Sequence, residues 1–151
     1  IDIKRQTGLE RLYVTGISLG GGLAGISFID INYLHIFTEI RVVTYGSPRI
    51  GNKQWAQHFD QLTGGNSRRF IVKGDPIVVL PACLTPLCNY RQTGIKIVCY
   101  EKKQICKQEK DTPDVPVLSD ITEMDSDIKN MKSIMDHVNG YPKIYNFTLV
   151  L

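Results

Sequence analysis

Gly16-Ile17-Ser18-Leu19-Gly20 follows directly on the short apolar run Leu12-Tyr13-Val14-Thr15, and this order constrains the fold more than any other feature of the chain. A G-x-S-x-G set between a strand and a helix is a turn so tight that only glycine fits two residues either side of the serine. The turn lifts the serine Oγ to the carboxyl end of the strand and makes the backbone N–H of Leu19 a donor for an oxyanion. The small residues Gly21, Gly22, Ala24 and Gly25 then let the following helix pack close to a sheet. The same stretch spells Gly20-x-Gly22-x-x-Gly25, the spacing of a dinucleotide-binding loop. Four residues, Gly16 to Leu19, separate that spacing from its strand. The next strand, 40–45, runs into Gly46-Ser47-Pro48, and Glu39 precedes it where a ribose-binding acid should close it. Nucleotide binding is set aside on both counts.

At 151 residues, 42% of them apolar, the chain suffices for one core and one domain over 1–151. A net charge of +3 is too small and too scattered to imply a nucleic-acid partner. Lys102, Lys103, Lys107 and Lys110 alternate with Glu101, Glu109 and Asp111, and read as a solvated hairpin face. No apolar run is long enough for a transmembrane segment, and residues 1–5 lack the apolar stretch of a signal peptide. Cys83, Cys88, Cys99 and Cys106 lie in the middle of the chain. Two local bridges, Cys83 to Cys88 and Cys99 to Cys106, fit that spacing, and so do free thiols. Zinc fits less well, since there is no C-x-x-C. Asn146-Phe147-Thr148 is a glycosylation sequon, which agrees with a secreted, extracellular location.

Beyond the serine turn, the pattern predicts a helix over 22–37 carrying Leu23, Ile26, Phe28, Ile29 and Leu34 toward a core. A buried strand over 41–45 follows. A second helix over 52–62 puts Trp55, Phe59 and Leu62 on one face and ends at Gly64-Gly65-Asn66. The next strand, 68–72, leads into Gly74-Asp75-Pro76, and 77–80 reads as extended or looped before Pro81. Residues 95–100 and 104–107 form a hairpin, and Pro113 and Pro116 keep 111–116 a loop. A last helix over 119–138 steps through Ile121, Met124, Ile128, Met131, Ile134 and Met135, which ordinary core packing explains. Strands alternating with helices give an α/β fold with a mostly parallel sheet flanked by helices.

A serine hydroxyl is a poor nucleophile until a base takes its proton, and the base needs an anion to orient it. Only three histidines exist. His35 is too close to the serine turn to fold back over it, and His58 lies on the second helix in a surface or core-edge role. His137, in a loop after the last helix, can reach the carboxyl edge of the sheet. Asp75 is the best placed acid, because open α/β sheets gather their chemistry at strand carboxyl ends. Asp60 lies inside a helix, and Asp136 adjoins His137 but faces elsewhere. Ser47 fails as a rival nucleophile, since Pro48 behind it has no N–H to offer.

These residues resemble a family. Residues 14–24, VTGISLGGGLA, are similar to the serine turn of the class 3 (fungal-type) triacylglycerol lipases, and 44–52, TYGSPRIGN, to the segment after that family's next strand. Phe70 to Pro81, with Gly74-Asp75-Pro76-Ile77-Val78, resembles its acid-bearing turn, and Asp136-His137 followed by Tyr141 resembles its histidine segment. The resemblance covers residues 12–145 in the family's order. It implies an α/β-hydrolase fold and a serine carboxylic-ester hydrolase, a triacylglycerol lipase first and a phospholipase or feruloyl esterase second. Ser18 would be the nucleophile, Asp75 the acid and His137 the base, with Leu19 N–H as an oxyanion donor, lipid esters as substrates, and no metal or organic cofactor. Ile17 stands where the family has histidine, a change of packing more than of chemistry. Family members also carry upstream strands, a second oxyanion donor and an amphipathic lid, so the chain is expected to be the C-terminal portion of a longer catalytic domain. The rival from another class is a truncated, non-catalytic hydrolase-fold module that binds lipid or protein.

Overall fold

The structure, a computed structural model, describes residues 2–81, 89–110, 137, 139–146 and 148–150. Helix α1 (Asp2–Thr7) leads into strand β1 (Arg11–Ile17), helix α2 (Leu19–Tyr33) and strand β2 (Glu39–Tyr45). Then come β3 (Gly51–Asn52), helix α3 (Lys53–Thr63), β4 (Ser67–Val72) and a 3₁₀ turn at Ile77–Val79. β5 (Tyr90–Arg91), β6 (Ile95–Tyr100), a 3₁₀ turn at Glu101–Lys103, β7 (Ile105–Gln108), a 3₁₀ stretch at Tyr141–Asn146 and β8 (Thr148–Val150) complete the described elements.

The main sheet has six strands in the order β1-β2-β4-β6-β7-β8, and β3 pairs separately with β5. β1, β2, β4 and β6 run parallel, β7 turns back antiparallel on β6, and β8 runs parallel to β7. The register aligns Ile17 with Tyr45, Tyr45 with Phe70 and Val72 with Cys99. Residues that follow β1, β2 and β4 therefore emerge along one edge.

Alternation along the strands divides the core between the two faces of the sheet. On one face Ile40 and Val42 pack with Phe28 of α2 and Phe59 of α3. On the other, Val72, Ile97, Cys99 and Cys106 pack with Tyr141 and Ile144. α3 is held at both ends: Asn52 accepts the Trp55 N–H at 2.8 Å, and Gly64 takes the left-handed conformation that ends a helix. β1 forms an edge of the sheet, with Tyr13 and Ile17 exposed.

α2 departs from the expectation. It begins at Leu19, immediately after the serine, and ends at Tyr33 rather than reaching residue 37. Leu23, Ile26 and Leu34 are exposed instead of buried, whereas Gly21, Gly22, Ala24, Gly25 and Phe28 are buried. The side of α2 with the smallest side chains lies on the sheet, because it brings the helix axis closest. Residues 77–79 form a 3₁₀ turn, within a stretch expected to be extended or looped. The hairpin at β6–β7 is present and carries the Cys99–Cys106 disulfide between directly opposed residues. Cys83, Cys88, the loop at 111–116 and the methionine-bearing part of the last helix lie outside the described residues. Among the described residues, no helix is long and apolar enough to cross a membrane.

Candidate active site

Ser18 sits between β1 and α2 with φ 54° and ψ −127°. For a residue with a Cβ this is a sparsely populated, strained conformation, kept only where its surroundings over-determine it. They do so through the backbone. The Ser18 N–H donates to the Tyr45 carbonyl at 2.8 Å, and the Ser18 carbonyl accepts from Gly21 N–H at 2.9 Å. Gly16 is required by space, since a Cβ there would overlap the carbonyl of Gly20. Leu19 opens the helix, so its N–H has no carbonyl four residues back within α2 and remains a donor at the serine.

Asp75 is reached from β4 by two residues, the second of them Gly74 at φ +91°. The Asp75 N–H donates to Val72 O at 3.1 Å, and the carboxylate is buried with three donors on its two oxygens. Oδ1 accepts the Ile77 N–H at 2.8 Å. Oδ2 accepts His137 Nδ1–H at 2.7 Å and also the hydroxyl of Tyr141. His137 is buried and lies in helical backbone, as do Asn139 and Gly140, so it belongs to the helix expected over 119–138 and not to a loop after it. That backbone runs straight into the 3₁₀ stretch at Tyr141–Asn146.

Tyr141 fills the space between these parts. Its ring meets His137 edge-on at 5.5 Å and Tyr45 at 6.5 Å. Gly46, at the end of β2, leaves room for it: a Cβ there would come within 2.6 Å of the phenol ring. The phenol oxygen also accepts the Val72 N–H at 3.2 Å. Burial, and then the neighbouring Asp75 carboxylate, push the Tyr141 hydroxyl far above the usual range of a phenol, so it stays protonated and donates.

Asp75 and His137, 62 residues apart, are thus joined directly. Ser18 comes to the same edge of the sheet but is not joined to them. His137 Nε2 is buried and has no hydrogen-bond partner among the described residues. A cavity of about 330 Å³, lined by Thr15, Gly16, Ile17, Tyr45, Tyr141 and Pro142, connects the end of β1 to the histidine segment. A hydroxyl–imidazole contact is often long in an enzyme without substrate and tightens on binding.

The discarded candidates have other roles. Ser47 Oγ donates to Pro48 O at 3.1 Å, and exposed His58 pairs through Nε2 with the Tyr33 hydroxyl at 2.9 Å. Asp60 accepts the Gly94 N–H at 2.7 Å. Two supports have no clear sequence signal. Gln92 Nε2 donates to Ser47 O at 3.1 Å and to Val78 O at 2.6 Å, tying the loop after β2 to the turn after Asp75. Arg49 N–H donates to Leu80 O at 2.7 Å across the same gap. Tyr141 had a signal, its place four residues after His137, but not one that revealed its hydroxyl's partners.

The family profile Lipase (class 3) matches residues 2–85, which include both Ser18 and Asp75. This chain belongs to the class 3 lipases. Lipase ZK262.3 of Caenorhabditis elegans is 42% identical over 78 residues, 50% of this chain and 22% of that protein. A secreted mono- and diacylglycerol lipase, LIP2, of Malassezia restricta is 32% identical over 71 residues, 46% of this chain and 22% of that one. In three dimensions the Rhizomucor miehei lipase, solved as a propeptide complex, superposes with a TM-score of 0.57 and 25% identity, over 65% of this chain and 31% of that one. The class 3 lipase chain described here thus spans about a fifth of these curated relatives and about a third of the solved one. Their α/β-hydrolase architecture is the one its mostly parallel sheet adopts.

Proposed function

We propose that this class 3 lipase chain carries the triad of a serine carboxylic-ester hydrolase, with Ser18 as nucleophile, His137 as base and Asp75 as the acid that orients it. The observation that carries the reading is the buried 2.7 Å bond from His137 to Asp75, on the sheet edge where Ser18 holds its strained turn. His137 Nε2 takes the proton of Ser18 as Oγ attacks the ester carbonyl, and the Asp75 carboxylate stabilises the imidazolium. The Leu19 N–H is one donor to the tetrahedral oxyanion. The imidazolium then protonates the leaving alcohol, and water, deprotonated by the same nitrogen, releases the acid from the acyl-serine. The substrate is a glyceride, in line with the mono- and diacylglycerol lipase among the relatives, and triacylglycerol is the first choice. A secreted relative and the Cys99–Cys106 bridge support an oxidising, extracellular setting.

A fluorophosphonate probe tests the assignment on the full-length protein. One label per chain is expected, lost in Ser18→Ala and strongly slowed in His137→Ala. An unlabelled native protein, or a label that survives Ser18→Ala, would overturn it, the first outcome favouring a non-catalytic binding module.

A further inference from the structure

We propose that Tyr141 is a positioning residue for the Asp75–His137 pair, acting through its hydroxyl rather than its bulk; this rests on the triad reading above. The hydroxyl takes one hydrogen bond and gives another. It accepts from the Val72 N–H at 3.2 Å, on the last residue of β4, and donates to Asp75 Oδ2, the oxygen that holds His137. One phenol therefore ties the sheet edge, the acid and the histidine segment together. Tyr141 is 3% exposed, and the space its ring fills over the end of β2 exists because residue 46 is glycine.

Two consequences separate this role from simple packing. The first is geometric. With Oδ1 on the Ile77 N–H and Oδ2 shared by Tyr141 and His137, the carboxylate plane is held at both oxygens, and the imidazole inherits that orientation. Without the phenol O–H, one constraint on Oδ2 is gone and the imidazole can swing with the carboxylate. The second is electrostatic. A hydrogen bond donated to a carboxylate disperses its charge. Remove it, and the carboxylate attracts the imidazolium more strongly. Burial and the carboxylate keep the phenol neutral, and so able to donate, throughout the range in which a histidine titrates.

The test compares the native full-length protein with Tyr141→Phe, which keeps the ring, and with Ile144→Val, which thins the same core cluster and touches neither acid nor base. For Tyr141→Phe, kcat on a soluble short-chain ester should fall about tenfold with KM little changed, the size expected for one hydrogen bond to a charged group. The acid limb of its kcat/KM profile should move upward. Ile144→Val should lower the unfolding midpoint and leave the limb in place. The proton NMR signal of the His137 Nδ1–H should also shift in Tyr141→Phe, a readout that does not need turnover. Native labelling by fluorophosphonate with an unchanged limb and an unchanged Nδ1–H signal in Tyr141→Phe would overturn the positioning role alone. Absence of native labelling would strike the triad reading instead.

Discussion

The two halves of the candidate site are fixed by opposite means. Ser18 is held by backbone: its own strained dihedrals, the hydrogen bond to Tyr45, and a glycine at 16 that lets the chain fold back on itself. Every one of those constraints except Tyr45 lies within four residues. Asp75 and His137 are held by side chains, from segments 62 and more residues apart, through a carboxylate, an imidazole and a phenol. The proposed nucleophile is thus placed by local geometry, and the proposed base by tertiary assembly. A half built locally should lose stability abruptly when its turn is altered, while a half built from side chains should lose it by degrees.

The largest effect that would sharpen this contrast is Asp75→Asn. An amide can present its N–H to His137 and spoil the base while the fold persists, so kcat should drop by about 10⁴-fold with the unfolding transition kept. A steady-state assay beside a thermal melt reads both. Next, Gly16→Ala should cost more than 3 kcal/mol in a urea titration, because the new methyl meets a backbone carbonyl that cannot turn aside. Gly46→Ala should cost less, about 1–3 kcal/mol, since the methyl meets the ring of Tyr141, a side chain, and adds the penalty of a positive φ of 58°. Equal losses in the two variants would break the comparison.

The smallest effect is in alkali. The folded Tyr141 phenol titrates above its unfolded value of about 10. The folded state therefore binds the proton more tightly, and that share of stability is complete below pH 10 and lost as the pH climbs past it. The loss should total about 1.4 kcal/mol between pH 9 and pH 11, measured as the difference between native protein and Tyr141→Phe in chemical denaturation. Parallel curves for the two proteins would show that the phenol is not held by the fold.

The same contrast explains what could be read in the sequence. The serine turn, β2, α3 with its closing Gly64, β4 and the β6–β7 hairpin each announce themselves within a few residues, through glycine, periodicity or alternation. The outward lie of Leu23 and Ile26 was missed, because the small residues that set the helix on the sheet and the apolar residues expected in the core occupy different faces. β3, β5 and β8 are two or three residues each, too short for periodicity to mark. The dyad was legible as two candidates in a plausible order. The phenol between them was not, since nothing near Tyr141 in the chain points to Val72 or Asp75.

One detail of the acid reaches further. An ionised carboxylate can only accept, so its bond to Nδ1 obliges that nitrogen to carry the ring's proton. The neutral imidazole is thereby locked in a single tautomer, with the lone pair on Nε2. On the triad proposed above, the ring can then take up and return a proton only at the nitrogen facing away from the acid. Under the proposed assignment, the base is armed before any ester arrives.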